Sequence, residues 1–192
     1  QMLGLMQDQP LLISSLIEFA ERHHGDVEIV SRRVEGDIHR CNWADIARRA
    51  GIRSELPDNL TLALGTGEVR VLELTNAYAT LQSLGQYAEP ILLIRVTDRT
   101  GKILEEHQAA FEETMQPAVA YLATSLMQSV EEEGTARGVR ELQRPTAAKT
   151  GTANEYRDAW FAGYTRDLVA ASWVGFDDHG SMGSGVTGGS GA

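Results

Sequence analysis

Ala147-Ala148-Lys149-Thr150-Gly151-Thr152 is the stretch on which the predicted fold and the predicted chemistry both depend. Two further apolar runs follow it, Asp158 to Tyr164 and Leu168 to Phe176, and their alternation predicts two more strands. Both faces of these strands are largely apolar, so we expect the sheet to be covered on both sides. A Lys-Thr-Gly run at a sheet edge can hold an anion. The ammonium supplies charge, the hydroxyls donate hydrogen bonds, and glycine lets a ligand approach the backbone closely.

Composition predicts a folded protein and excludes several classes of partner. The chain has 192 residues, of which 42% are hydrophobic and 23% are charged, which is typical of a globular domain. Its net charge of -10 argues against nucleic acid, because phosphate binding needs a basic surface. Cys41 is the single cysteine, so no internal disulfide is expected. The sequence shows no secretory signal and no apolar run of about 18 residues, so no membrane span is predicted.

The sequence pattern of residues 1–50 predicts a helix, a hairpin and a second helix. Leu11 to Ala20 has helical spacing, and short strands are expected from Val27 to Arg33 and from Asp37 to Arg40. Asn42 is a predicted N-cap for a helix from Trp43 to Ala50. Adjacent histidines do not have metal-ligand spacing, so no metal is assigned to His23, His24 and His39. The run Asp177-Asp178-His179 is interpreted in the same way, as a solvated turn.

The middle of the chain alternates helices with a hairpin. A helix is predicted from Glu68 to Leu84, with an apolar face of Val71, Leu74, Tyr78 and Leu81. Strands are predicted from Pro90 to Val96 and from Lys102 to Glu106, joined by a turn at 98–101. A second helix should begin at Pro117 and run to about Glu133. We expect it to bury Val119, Leu122, Leu126 and Val130. The predicted fold class is therefore α+β, an antiparallel sheet with flanking helices.

Residues from about 47 to 192 resemble the C-terminal part of a class A penicillin-binding protein transpeptidase domain. That resemblance implies a partial penicillin-binding or β-lactamase-like fold, a serine acyl transfer that cross-links peptidoglycan, and a bacterial inner-membrane or periplasmic setting. It also implies that Lys149, Thr150, Gly151 and Thr152 bind the carboxylate of a stem peptide or a β-lactam. The backbone N–H of Thr152 would form half of an oxyanion hole. No cofactor and no metal are implied. The segments that carry the resemblance are 62–66, 72–80, 133–136, 149–152, 157–164, 173–177 and 187–189.

The nucleophile of that family is missing from this sequence. A Ser-x-x-Lys motif needs a serine three residues before a lysine, but Arg99 precedes Lys102 and Thr146 precedes Lys149 at that spacing. A Ser-x-Asn motif fails at each of the four asparagines, whose residues two positions earlier are Arg40, Pro57, Leu74 and Thr152. We therefore predict that no residue of this chain is catalytic and that it forms no acyl-enzyme by itself.

Residues 1–50 resemble instead the extreme N-terminus of a fatty-acyl-CoA synthetase, through 11–17, 28–32, 38–40 and 43–49. The predicted domains are accordingly 1–50, a helix-hairpin-helix segment, and 51–192, the transpeptidase-like portion. The two meet in the helix around 47–50, where we expect unrelated fragments to join. The phosphate loop of such a ligase ends in lysine, and no loop of that kind occurs here.

Three alternatives stay open from the sequence. The chain is a non-catalytic part of a transpeptidase, a truncated relative of the ligase, or a structural chain in which Lys149 is simply an exposed strand residue. The helix that in the family follows Thr187-Gly188-Gly189 is not present, so one sheet face needs other cover. Either the helix Leu11 to Ala20 or a second copy of the chain, forming a homo-oligomer, is expected to supply it.

Overall fold

The computed structural model describes residues 29–32, 38–56, 62, 65 and 67–192. The chain divides into two compact units, Gln1–Ile46 with Glu55–Glu68, and Ala47–Ser54 with Val69–Ala192. The predicted helix at 11–20 and the histidines His23 and His24 lie outside the described residues.

The first unit contains the predicted hairpin. Strand β1 (Ile29–Arg32) pairs antiparallel with β2 (Ile38–Cys41), so that Ile29 lies opposite Cys41. Asn42 then caps helix α1 (Trp43–Ala50) in a reciprocal arrangement. The Asp45 N–H donates to Asn42 Oδ1 over 2.8 Å, and the Asn42 N–H donates to Asp45 Oδ2 over 3.3 Å. The predicted cap is confirmed.

The second unit combines two long helices with three small antiparallel sheets. Its elements are α2 (Val71–Gln82), β3 (Gln86–Tyr87), β4 (Arg95–Thr97), β5 (Ile103–Glu106), β6 (Glu112–Glu113), α3 (Pro117–Glu133), β7 (Ala147–Thr152), β8 (Asp158–Tyr164) and β9 (Val169–Gly175). Strands β7, β8 and β9 form one sheet in that order, while β3 pairs with β6 and β4 with β5. This confirms the α+β class with an antiparallel sheet.

The three-stranded sheet has a continuous register. Ala147 lies opposite Tyr164 and Thr152 opposite Ala159, while across the second ladder Tyr164 lies opposite Val169. The central strand β8 has the bounds that the sequence predicts. Strand β7 begins at Ala147, the first residue of the Ala147–Thr152 stretch. Its first two residues, Ala147 and Ala148, are fully buried.

Helix α2 packs through small and hydroxyl side chains. Ala77 and Thr80 are buried, and the Thr80 hydroxyl donates to the carbonyl of Ala50 over 3.2 Å. The ring of Tyr78 meets the ring of Tyr164 edge-on, with centroids 6.2 Å apart. Burial raises the pKa of Tyr78 to about 12. Val71, which the periodicity assigns to the apolar face, is instead exposed in the first turn of the helix.

Helix α3 turns a different face to the core from the one predicted. Val119, Leu122 and Leu126 are exposed, at 49%, 62% and 72%, so their predicted burial is wrong. Among the side chains of this helix that the structure describes, Ala120 and Glu131 are buried, and the half-buried Thr124 hydrogen-bonds to the Tyr164 hydroxyl at 2.7 Å. Small and hydroxyl side chains allow the helix to pack closely on the alanine-rich β7, and this outweighs the pull of the larger apolar residues.

The hairpin between the helices forms with a shorter first strand than expected. Strand β4 begins at Arg95 rather than Pro90, and proline carries no N–H to donate to a ladder. The predicted turn at 98–101 is confirmed. The carboxylate of Asp98 accepts hydrogen bonds from the Thr100 hydroxyl and from the N–H groups of Lys102 and Thr100, and these hold the pKa of Asp98 below its usual value. Among the described residues, no helix is both long enough and apolar enough to cross a bilayer.

Candidate functional site

Strand β7 presents a free edge. In the described part of the chain its strand neighbour is β8. The ladder continues past the strand end, where the Ala153 N–H donates to the Asp158 carbonyl over 2.9 Å. Because hydrogen-bonded and non-hydrogen-bonded pairs alternate in an antiparallel ladder, Gly151 and Lys149 point their backbone groups toward β8. The N–H and C=O groups of Thr150 and Thr152 therefore point outward, along the open edge.

The side chains of this strand are divided between its two faces. Thr150 and Thr152 share one face, while Lys149 and Gly151 belong to the other, because successive residues of a strand alternate. Lys149 is exposed, and its ammonium donates to the carbonyl of Thr150 over 2.5 Å. That carbonyl lies on the open edge, so the Lys149 side chain brings its charge to the edge that carries the two threonines.

Both threonine hydroxyls have a polar partner from outside the strand. The Oγ1 atoms of Thr150 and Thr135 lie 2.5 Å apart, and Thr135 stands in the loop after α3. Thr152 Oγ1 accepts a hydrogen bond from the N–H of Gly188 over 3.1 Å. Thr150 is 9% exposed, whereas Thr135 and Thr152 are exposed. The Thr150 hydroxyl is therefore hydrogen-bonded to Thr135 and largely shielded from solvent.

A glycine pair near residue 188 lies directly against the sheet backbone. A Cβ on Gly188 would overlap the carbonyl oxygens of Gly151 and Trp160, and one on Gly189 would lie 2.8 Å from the carbonyl oxygen of Thr135. All three oxygens belong to the backbone and cannot rotate away from an added side chain. These two positions therefore require glycine, because any side chain would push the turn away from β7.

The turn that follows β7 is strained and is hydrogen-bonded to the C-terminal segment 177–192, which we call the tail. Glu155 and Tyr156 both adopt left-handed backbone angles, with φ of 60° and 55°. Non-glycine residues rarely hold this conformation, and it persists where surrounding contacts impose it. The Ser181 hydroxyl donates to the Glu155 carbonyl over 2.6 Å, and the Met182 N–H donates to the Tyr156 carbonyl over 2.9 Å. The tail thus contacts the chain both at Thr152 and in the turn that follows β7.

The face opposite the threonines is supported by aromatic packing. Trp160 and Trp173 lie directly opposite each other in the β8–β9 register, with ring centroids 6.4 Å apart. The indole N–H of Trp173 donates to Asp158 Oδ1 over 2.8 Å. At the start of β7, Thr146 donates to the buried carboxylate of Glu131. These contacts stabilise the pairing of β8 with β9 and anchor the start of β7 to helix α3.

Among the described residues, no three side chains of the metal-binding types are placed to hold one ion. In the run Asp177-Asp178-His179, the Asp178 carboxylate accepts from the Gly180 N–H over 3.0 Å. This is the hydrogen bond of a tight polar turn.

The four residues singled out from the sequence lie in one strand, with their polar groups gathered at one edge. The sequence predicts no role for Thr135 or Gly188, although both fall in segments that carry the resemblance. The signal for Gly188 was its pairing with Gly189, since adjacent glycines indicate close backbone approach. No local signal identified Thr135, whose partner is 15 residues away.

Comparison with known proteins decides the family. The family described as "Penicillin binding protein transpeptidase domain" matches residues 42–186, which is most of the chain. The chain belongs to this transpeptidase family. The match includes Thr135 and the whole of β7, and it leaves residues 1–41 outside. The resemblance of residues 1–50 to an acyl-CoA synthetase stays a prediction.

The relatives of this transpeptidase chain are much longer than it is. Penicillin-binding protein 1A of Aquifex aeolicus is 35% identical over 144 residues, covering 75% of this chain and 20% of the relative. Penicillin-binding protein 1A of Neisseria gonorrhoeae is 39% identical over 149 residues, covering 74% and 19%. The chain therefore spans about a fifth of the length of these relatives.

Solved structures share the transpeptidase fold. The structure of the PonA1 protein from Mycobacterium tuberculosis in complex with penicillin V matches with a TM-score of 0.64 and 30% identity, covering 76% of this chain and 45% of that one. Penicillin-binding protein 1A from Haemophilus influenzae matches with a TM-score of 0.69 and 20% identity, covering 86% and 36%. At 20% identity the second match supports a shared fold and nothing further.

Proposed function

We propose that this chain supplies the carboxylate-binding strand of a penicillin-binding transpeptidase domain, which acts in peptidoglycan cross-linking. The observation that carries the proposal is the gathering of the Lys149 ammonium with Thr150 and Thr152 at the open edge of β7. The ligand is the terminal carboxylate of a stem peptide, or the corresponding carboxylate of a β-lactam.

An extended peptide would lie along this edge as an added strand. The outward N–H and C=O groups of Thr152 offer backbone hydrogen bonds, and the two hydroxyls donate to the carboxylate. The Lys149 ammonium adds a charge-assisted interaction, which is stronger than a neutral hydrogen bond. The outward Thr152 N–H corresponds to the donor that the family resemblance assigns to half of an oxyanion hole.

We propose further that the chain binds without reacting. Its 192 residues contain no serine three positions before a lysine and none two positions before an asparagine. In other serine enzymes, loss of the nucleophile lowers the rate by about six orders of magnitude. The expected product of incubation with a β-lactam is therefore the unmodified chain.

Two measurements test this function together. Intact mass after incubation with penicillin G should show no covalent adduct; stoichiometric labelling would contradict the proposed lack of acylation. Nuclear magnetic resonance titration with N-acetyl-D-alanyl-D-alanine should shift the β7 amides in the wild type. Lys149→Gln should weaken that binding about tenfold, the typical worth of a charge-assisted hydrogen bond. Lys102→Gln is the matched control, because Lys102 is the other lysine and is exposed in the β4–β5 turn. Equal affinity in both variants would leave β7 as a purely structural strand.

For residues 1–50 we propose a separate origin as a segment resembling an acyl-CoA ligase N-terminus, joined to the transpeptidase portion near 47–50. The support is the sequence resemblance, together with a family match that starts only at residue 42. A truncated ligase function would require nucleotide binding. We expect calorimetry with ATP to show no heat of binding, since the phosphate loop is missing; a measurable heat would favour the ligase alternative.

We propose finally that a second copy of the chain covers exposed apolar surface. The surface includes Val174 and Phe176 at the end of the sheet, and Leu122 and Leu126 on α3. Sedimentation of the purified chain across a concentration series tests it, and a monomer at every concentration would contradict it.

A further inference from the structure

The hydroxyls of Thr150 and Thr152 share one face of β7, and each has a partner outside the strand. We propose that Thr135 and Gly188 are positioning residues, which keep the hydroxyl protons of Thr150 and Thr152 directed toward a bound carboxylate. This inference rests on the proposed function of the β7 edge, and it adds two residues to which neither sequence motif nor family resemblance assigned a role.

The hydrogen-bonding capacity of a hydroxyl determines what Thr135 can do for Thr150. A threonine hydroxyl has one proton to donate and two lone pairs that accept. A carboxylate only accepts, so Thr150 binds it by donating its single proton. Thr135 Oγ1, 2.5 Å from Thr150 Oγ1, can then donate to Thr150 and form a chain from Thr135 through Thr150 to the carboxylate. Each bond in such a chain polarises the next, so Thr135 strengthens a contact that it does not itself make.

Gly188 has the same relation to Thr152. Its backbone N–H donates to Thr152 Oγ1 over 3.1 Å and fills one acceptor position of that hydroxyl. The Thr152 proton stays available for the ligand, and the side-chain rotamer is fixed by a backbone donor. The close approach depends on glycine, because a Cβ at 188 would overlap the carbonyl oxygens of Gly151 and Trp160.

One turn of the tail contacts both hydrogen-bonded pairs, Thr135 with Thr150 and Gly188 with Thr152. Gly189 lies against the carbonyl oxygen of Thr135, and Gly188 contacts β7 directly. The turn is closed internally, since the N–H groups of Ser190 and Gly191 donate to the Thr187 carbonyl over 3.0 and 2.7 Å. Thr135, the turn and β7 therefore act as one packed set, and displacement of the turn is expected to disturb both hydroxyls.

The test compares Thr135→Val with Thr135→Ser. Valine keeps the shape of threonine and removes the hydroxyl, whereas serine keeps the hydroxyl. Thr135→Val should bind N-acetyl-D-alanyl-D-alanine about three- to tenfold more weakly than wild type, the usual worth of one hydrogen bond, and Thr135→Ser should bind within about twofold of wild type. The C-terminal amide of the same dipeptide, which lacks the carboxylate, should bind all three proteins equally. Melting temperatures should agree, since Thr135 is exposed.

A ligand-free measurement separates this inference from the proposed function. Scalar couplings at Cβ should report one fixed rotamer for Thr150 in wild type and Thr135→Ser, and rotamer averaging in Thr135→Val. Gly188→Ala should release the Thr152 rotamer in the same way. A Thr150 rotamer that stays fixed in Thr135→Val, or dipeptide affinity unchanged by that substitution, would overturn the inference while leaving the β7 site intact. If the wild type does not bind the dipeptide at all, the proposed function fails, and the positioning role fails with it.

Discussion

Tyr164 is the residue at which the sheet meets both long helices. Its ring packs edge-on against Tyr78 of α2, and its hydroxyl lies 2.7 Å from Thr124 Oγ1 on α3. Burial raises the pKa of Tyr164, although the hydrogen bond to Thr124 acts in the opposite direction. Burial, together with the neighbouring Tyr164, raises the pKa of Tyr78 to about 12. Ionisation of either phenol is therefore disfavoured in the folded chain, and most strongly for Tyr78.

These raised pKa values predict a loss of stability at high pH. The unfolded chain releases the Tyr78 proton near pH 10, while the folded chain holds it to about 12. Stability is therefore complete below about pH 10 and falls as the pH rises to 12, by roughly 2 kcal/mol from Tyr78. Tyr78→Phe should reduce this fall in denaturant unfolding, and Tyr121→Phe, at an exposed position on α3, should leave it unchanged. An equal alkaline loss in both variants would show that Tyr78 does not cause it.

At the scale of elements, the sequence predicted what local chemistry determines. The bounds of β8, the Asn42 cap and the turn after Asp98 all depend on residues within a few positions of one another. The inner face of α3 was predicted wrongly because it depends on a distant surface. Periodicity of the largest apolar residues predicts that the face with Leu122 and Leu126 is buried. The face that packs on the alanines of β7 instead carries small and hydroxyl side chains, which allow a closer approach.

The candidate site likewise has features that local sequence predicts and features that depend on distant residues. The Lys149 to Thr152 run was visible as a motif, and its place on a strand followed from the alternating runs after it. The partners of its hydroxyls were not visible, because Thr135 and Gly188 reach the strand from 15 and 36 residues away. Strand periodicity predicts that two hydroxyl side chains lie on the same face of a strand. Their hydrogen-bond partners from distant segments are identified only by the tertiary structure.

The corrected orientation of α3 predicts opposite responses on its two faces. Ala120→Leu adds volume at a fully buried position and should destabilise the fold by about 1–3 kcal/mol. Leu126→Gln changes an exposed position and should alter the free energy of unfolding by less than about 0.5 kcal/mol. Urea unfolding of both variants measures the difference. A larger loss for Leu126→Gln than for Ala120→Leu would restore the face predicted from periodicity.

Across the whole molecule, net charge and exposed apolar surface have opposite effects on self-association. The described core is made mainly of alanine and threonine, while several leucines and phenylalanines are exposed, among them Leu92, Phe111, Leu126 and Phe176. Exposed apolar groups in contiguous patches favour association. The net charge of -10 at pH 7 opposes it, because identical chains repel one another.

That balance predicts self-association that increases as the pH falls toward the pI of about 4.9. Protonation of carboxylates removes the repulsion, so sedimentation should shift to larger species between pH 7 and about pH 5. Added salt at pH 7 should act in the same direction by screening charge. Leu126→Glu should suppress the larger species, because it places a charge within the exposed α3 face. Leu84→Glu makes the same charge change at an exposed leucine outside that face and should suppress them less. Equal effects of the two substitutions would mean that charge alone governs association and that the α3 face takes no specific part in it.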